Sequence, residues 1–180
     1  MPFDFQSVCD GIWQCFRNEA VSGSEPGDDV VLPTEDNLVF TKKMIAMESS
    51  GDQGRHEIKI SIRAVTKRFV SKGRMVLCSE GTTTWPRGVV GGADGLQMRD
   101  KSWIVVKPMP SSGSMRMCVT QQCTHMSPSG GAGAVLTFPD QMNKVKMSVI
   151  PKYQQIIDGY YQWIENSLLD KQVATTRLVL

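Results

Sequence analysis

Between Ser148 and Lys171 the large apolar residues are Val149, Ile150, Tyr153, Ile156, Ile157, Tyr160, Tyr161, Trp163, Ile164, Leu168 and Leu169. They recur at steps of three and four, which gathers them on one broad face of a single long helix. A helix this rich in large side chains needs a wide apolar surface to lie against. Only the strand-like segments that precede it can supply one. A sheet gripping a long terminal helix often encloses a hydrophobic cavity, so the pattern points to a container more than to a catalyst. Pro151 is expected in the first turn of this helix, where a missing N–H costs nothing. Gly159 falls in its interior, where it weakens the helix and would let a backbone or ligand come close.

The strand-like middle is read from alternation. Ile58, Ile60, Ile62 and Ala64 alternate with Lys59, Ser61 and Arg63, the mark of a strand with one face in the core and one in water. That strand is expected over His56 to Val70. Others are expected over Leu38 to Glu48, Met75 to Trp85, Ser102 to Lys107 and Ser114 to His125, with a short one near Ala134 to Phe138. Turns fall at "SSGDQGR" and "SKGR", and loops at "PRGVVGGADG", "PMPSSGS" and "SPSGGAG". Ahead of them Asp4 to Arg17 predicts a helix with Asp4 as N-cap and an apolar stripe of Phe5, Val8, Ile12, Trp13 and Phe16. A polar Gly-, Ser- and Pro-containing loop follows it. Helix, strands, helix is an α+β order, and 180 residues suffice for one domain with a real core.

Composition excludes several classes. Lys plus Arg is 20 and Asp plus Glu 18, a formal charge of +2, so neither nucleic acid nor a membrane surface is expected as a partner. The local basic cluster Arg63, Lys67, Arg68, Lys72 and Arg74 is read as the solvated face and turn of a hairpin, with a phosphate or lipid-headgroup contact as the alternative. Five cysteines without framework spacing argue against a disulfide scaffold. No apolar run approaches a transmembrane segment, and no basic start precedes an apolar stretch. A reduced, intracellular setting is expected, in cytoplasm or nucleus.

Reactive constellations are sparse. Gly88, Gly91, Gly92 and Gly95 lack the Gly-Lys-Ser/Thr of a phosphate cradle, and Ser112 and Ser114 form no nucleophile elbow. His56 is expected exposed at a strand start. Cys118 falls on the opposite strand face from Cys123 and His125, so the three do not converge as zinc ligands, and inert buried cysteines are expected instead. The early acids Asp28, Asp29, Glu35 and Asp36 are explained by solvation. Glu80 is expected to pair with Arg63 across two strands, with a charged pair at the cavity wall as the sharper version. No cofactor and no metal is called for, and a hydrolase or cyclase reading has no supporting constellation.

Four stretches, "PFDFQSVCDGIWQCF", "AVTKRFVSKGRMVLCSEGTTTW", "DKSWIVVKPMP" and "SVIPKYQQIIDGYYQWIENSLLD", resemble the START-like domains of the oomycete mating-specific protein family. The similarity runs from Pro2 to about Asp170 and is carried by structural motifs. It implies a helix-grip fold of the START/Bet v 1 kind, with a curved antiparallel sheet packed on the long C-terminal helix. Residues 1–172 would form one domain lacking the N-terminal helix and strands of a full START domain, and residues 173–180 a tail. The family's upstream basic or coiled-coil segment has no counterpart.

The expected cavity wall comprises the strand residues Ile60, Ile62, Leu77, Met117 and Val119. The helix adds Tyr153, Ile157, Tyr160, Tyr161 and Ile164, with tyrosine hydroxyls able to meet a ligand's polar group. Met75, Met115 and Met117 lie on strands among 11 methionines, which suit either flexible ligands or irregular core space. Two functions follow. One is a non-catalytic module binding a lipid or another hydrophobic small molecule. The other is a regulatory or interaction domain with a filled core and a protein partner at a sheet edge or at the 88–95 loop.

Overall fold

A computed structural model describes residues 3–17, 30–51, 54–86, 95–110, 116–129 and 139–177. The strand expected at 134–138, the Gly-rich loop through residue 94, and Asp28, Asp29, Ser112, Ser114 and Met115 lie outside the described residues. The chain order is α1 (Phe5–Arg17), β1 (Val30–Glu35), β2 (Leu38–Gly51), β3 (Gly54–Ser71), β4 (Arg74–Trp85), β5 (Leu96–Pro108), β6 (Cys118–Pro128) and α2 (Pro139–Arg177). The six strands form one antiparallel sheet in sequence order, each paired with the next. The fold is α+β.

α1 begins where its sequence says it should. The Asp4 carboxylate accepts from the Ser7 amide at 3.0 Å and from the Ser7 hydroxyl at 2.6 Å. These bonds hold its pKa below the usual value, and such a cap contributes about 1 kcal/mol. Phe3 and Val8 occupy the flanking staple positions and are both buried. β3 turns into β4 through Lys72 and Gly73, the latter at φ 71°, a left-handed conformation that suits glycine.

Both helices cover the same side of the sheet. One apolar cluster joins α1 to Val39, Met75, Leu77, Ile104, Val106 and Cys118, and to Ile164 and Leu168 of α2. A second joins Ile45, Ile58, Ile60, Trp85, Leu96 and Met98 to Val145, Val149 and Ile156 of α2. Tyr160 packs against both. The two helices approach closely at Gly11, where an added Cβ would stand 3.2 Å from a Leu168 methyl carbon.

α2 differs from the expected Ser148–Lys171 helix at each end. It starts at Pro139, so Pro139 rather than Pro151 holds the first position, and Pro151 sits inside the helix. There its ring removes one backbone hydrogen bond and crowds the preceding turn. At the other end the helix continues through Arg177, into the segment expected as a tail. The short-step apolar pattern marked the middle of α2 and missed its first turns, where Val145 is buried in the second apolar cluster. Gly159 is exposed and an added Cβ there would meet nothing within 4 Å, so no backbone or wall approaches it. Among the described residues no helix is long and apolar enough to cross a membrane.

Candidate ligand-binding cavity

The two apolar clusters are separated by a band of small and polar side chains. Strand pairing aligns Thr41, Ala64, Gly81 and Asp100 in one row across β2 to β5. The adjacent inward row is Val39, Thr66, Ser79, Ser102 and Thr124. Side chains this short cannot reach α2, so the sheet and helix part in the middle. The result is a cavity of about 120 Å³. Its sheet side is formed by Thr41, Lys43, Ile62, Ala64, Thr66, Ser79, Ser102, Ile104 and Gln122. α1 contributes Ile12, Cys15 and Phe16, and α2 contributes Tyr153, Ile156, Ile157, Tyr160, Tyr161 and Ile164. Phe16 and Tyr160 stack with ring centroids 6.2 Å apart and planes 5° from parallel.

Beside the cavity lies an outer cleft of about 300 Å³ between β6 and α2. Gln122, Ile157 and Tyr161 line both spaces, which makes them the partition between inside and outside. The cleft is polar, with Thr120, Thr124, Gln154 and Asp158 on its walls. The hydroxyls of Thr120 and Thr124 are buried without a hydrogen-bond partner. Two further hollows, of about 210 and 360 Å³, lie elsewhere on the surface beside exposed charged groups such as Glu80, Arg99 and Arg116. Neither lies between the sheet and α2; of the two spaces that do, the interior cavity is lined mainly by apolar and aromatic side chains and is the candidate site.

Burial holds the thiol and two of the phenols lining the cavity in their neutral forms. Burial pushes the Cys15 thiol up to about 12, with the Lys43 ammonium opposing the shift, so it is a thiol and no nucleophile at neutral pH. Burial also pushes the Tyr153 phenol up to about 12, helped by Asp100, and burial alone does the same for Tyr161. Thr66 and Ser79 bond each other through their hydroxyls at 2.7 Å. Asp100 accepts a hydrogen bond from the Thr83 hydroxyl, and its other oxygen is buried without a partner. Burial raises its pKa to about 6 against the opposing pull of Thr83. Among the described residues no group of three or more His, Cys, Asp or Glu is placed to hold a metal ion.

Of the residues expected at the wall, Ile62, Tyr153, Ile157, Tyr160, Tyr161 and Ile164 line the cavity. Ile60 and Leu77 face inward but are packed within the two flanking clusters. Met117 and Val119 do not reach it. Met117 precedes β6 and lines the surface hollow beside α1, and Val119 is exposed on the outer face. The inward residues of β6 are those paired with inward residues of β5, Thr120 with Val106 and Gln122 with Ile104. A one-residue error in parity moves every side chain to the other face.

Other expectations are revised similarly. Arg63 pairs in register with Thr82, and Glu80 bonds instead to Arg99, with Nε at 2.9 Å. Lys101 stands 4.0 Å from the same carboxylate. All three are exposed on the outer face, away from the cavity. The basic cluster divides between faces: Arg68 lies over the Trp13 ring at 4.6 Å and bonds Asn37, whereas Lys67 points outward over Phe69. Cys118 is buried inward while Cys123 and His125 are exposed outward; Cys78 is exposed as well, so not all the cysteines are interior. His56 pairs with Ser49 in β3, and its side chain lies outside the described residues. Lys43, Thr41, Ser79, Ser102 and Gln122 were missed; the signal was a set of inward strand positions too small or too polar for a core.

Comparison with protein-family models, with curated proteins and with solved structures finds no match to this chain.

Proposed function

We propose that this is a non-catalytic, START-like helix-grip domain that holds a hydrophobic small molecule between its sheet, α1 and α2. The observation that carries the reading is the position of the cavity. It lies where two well-packed apolar clusters are kept apart by two rows that include the short side chains of Thr41, Ala64, Thr66, Ser79 and Ser102. A sheet selected only for stability would fill those rows, because each buried methylene left out forfeits on the order of 1 kcal/mol. The hydroxyls and the tyrosines give a mostly apolar pocket a few polar contacts, the usual pattern for orienting a small ligand. The volume of about 120 Å³ fits a compact molecule rather than a whole phospholipid.

The same small volume is what favours the second reading, a regulatory or protein-interaction domain without a ligand. Native mass spectrometry of the purified protein, and of its organic extract, separates the two. A stoichiometric small molecule supports the first. Protein that stays empty after exposure to a broad mixture of hydrophobic compounds supports the second. Ile157→Trp adds an independent check, because Ile157 lines both the cavity and the outer cleft. Binding should be lost with a stability change under about 1 kcal/mol; a cost of about 3 kcal/mol, typical of an overpacked core, means that the space was already full.

A further inference from the structure

The face of the sheet turned away from both helices carries an apolar band where alternation would ordinarily place polar residues. Two adjacent rows of paired residues cross β3 to β6 there. One is Lys67, Cys78, Trp103 and Cys123, the other Phe69, Val76, Val105 and Gln121. Phe69 is 49 % exposed and Trp103 44 %, and Cys78 and Cys123 are exposed as well. Single surface hydrophobics need no explanation, but these side chains adjoin one another, and a contiguous patch marks a contact surface. Neither helix covers it, since α1 and α2 both pack on the opposite side.

Cations border the band on both sides. Arg63, Arg99 and Lys101 flank it towards one end of the strands, Arg74 and Lys107 towards the other, and Lys67 stands at its β3 end. All six are exposed. Glu80 is the one acid on this face between them, and Arg99 and Lys101 already engage it. Among the described residues no acid pairs with Arg63, Lys67, Arg74 or Lys107. Six cations to one acid here, against a formal charge of +2 for the whole chain, gathers positive potential on this face.

We infer that this face docks an acidic amphipathic helix of a partner protein, its apolar stripe on the Trp103 band and its carboxylates against the flanking cations. An amphipathic helix presents an apolar stripe with polar residues along both flanks, which is the complement of this surface. The band crosses three strand intervals, roughly 14 Å at about 4.8 Å each. At about 1.5 Å per residue that is the length of about nine helical residues. Other occupants fit less well. A second copy docked face to face would set like charges together. The lysines and arginines are longer than the valines and cysteines between them, so the apolar floor sits below a cationic rim that a helix enters and a flat lipid surface does not. Phe69 and Trp103 stand on different rows two strands apart and form no continuous stacking platform for bases. Docking on this face leaves the inner cavity untouched, so it is independent of whether that cavity takes a ligand.

The test is fluorescence anisotropy on the full chain with three labelled peptides of about 14 residues, long enough to be helical alone. The first carries Leu and Trp at i, i+3, i+4 and i+7 with Glu on both flanks. The second has every Glu replaced by Lys, and the third has the apolar residues replaced by Ala. Wild-type protein should bind the first at least about ten-fold more tightly than either control, and added salt should weaken it. Trp103→Ser, at an exposed position, should reduce that affinity at least about five-fold, as a central aromatic anchor would. Bound peptide should also slow alkylation of Cys78 and Cys123. Equal binding of the Lys peptide or of the Ala peptide overturns the inference, and these wild-type comparisons need no variant. Failure of the acidic peptide to bind overturns it too. If a single-stranded oligonucleotide or a phosphatidylserine vesicle binds in a Trp103-dependent way and the acidic peptide does not, the face belongs to that partner instead.

Discussion

Gly81→Ala tests whether the sheet is as tightly joined behind the cavity as the structure indicates. A Cβ at Gly81 would stand 2.4 Å from the Arg63 carbonyl oxygen and 2.9 Å from both Cα and Cβ of Ala64. Unstrained carbon contacts lie near 3.5–4.0 Å, so β3 and β4 must separate by about 1 Å. Two of the three obstacles are backbone atoms, which cannot rotate away. β3 is also hydrogen-bonded on its far side to β2, where Thr41 pairs with Ala64. Overpacking costs 1–3 kcal/mol in general, and this geometry belongs at the top, about 3 kcal/mol. With a urea m-value of about 2 kcal/mol/M, the unfolding midpoint should fall by roughly 1.5 M.

The control is the same substitution at Gly159, where a Cβ would meet nothing within 4 Å and the residue is exposed in a helix. Alanine is favoured over glycine there by about 0.8–1 kcal/mol, so the midpoint should rise by roughly 0.4 M. Both are read from urea denaturation followed by circular dichroism at constant m. A Gly81→Ala midpoint within about 0.3 M of wild type would refute the close packing of β3 on β4. Equal shifts of the same sign at both sites would refute the steric argument altogether.

Two further predictions concern titratable groups. The folded pKa of Asp100 is raised from 3.8 to about 6, so the folded state holds the proton more tightly than the unfolded one. Its contribution to stability is therefore full below pH 3.8 and is lost as pH rises through about 6. The shift corresponds to at most about 3 kcal/mol, and about 2 after allowing for partial hydration. The stability of wild type relative to Asp100→Asn should fall by that amount between pH 4 and 7.5; a flat difference refutes the burial of this carboxyl. Separately, a thiol reagent applied to native protein should modify Cys78 and Cys123, which are exposed, long before Cys9, Cys15 and Cys118, which are buried. Peptide mapping that finds Cys118 labelled as fast as Cys123 would overturn the orientation of β6.

What the sequence determined was periodicity. The alternation in β3, the helical steps of Tyr153, Ile156, Ile157, Tyr160 and Ile164, and the Asp4 cap are local patterns, and local sterics and hydrogen bonding enforce them whatever the rest of the chain does. They were enough for the α+β order and for the middle of α2. Tertiary structure decided everything that depends on register. Whether Val119 or Thr120 faces inward is settled by which β5 residue each one pairs with. Which arginine Glu80 meets is decided by side-chain placement, since Arg63 and Arg99 both pair with Thr82 and it is Arg99 that bonds the carboxylate. The cavity itself is a register effect: Thr41, Ala64, Thr66, Ser79 and Ser102 come from four strands and mean nothing separately. Aligned side by side on the inner face of the sheet, they leave too little side chain to reach the helix.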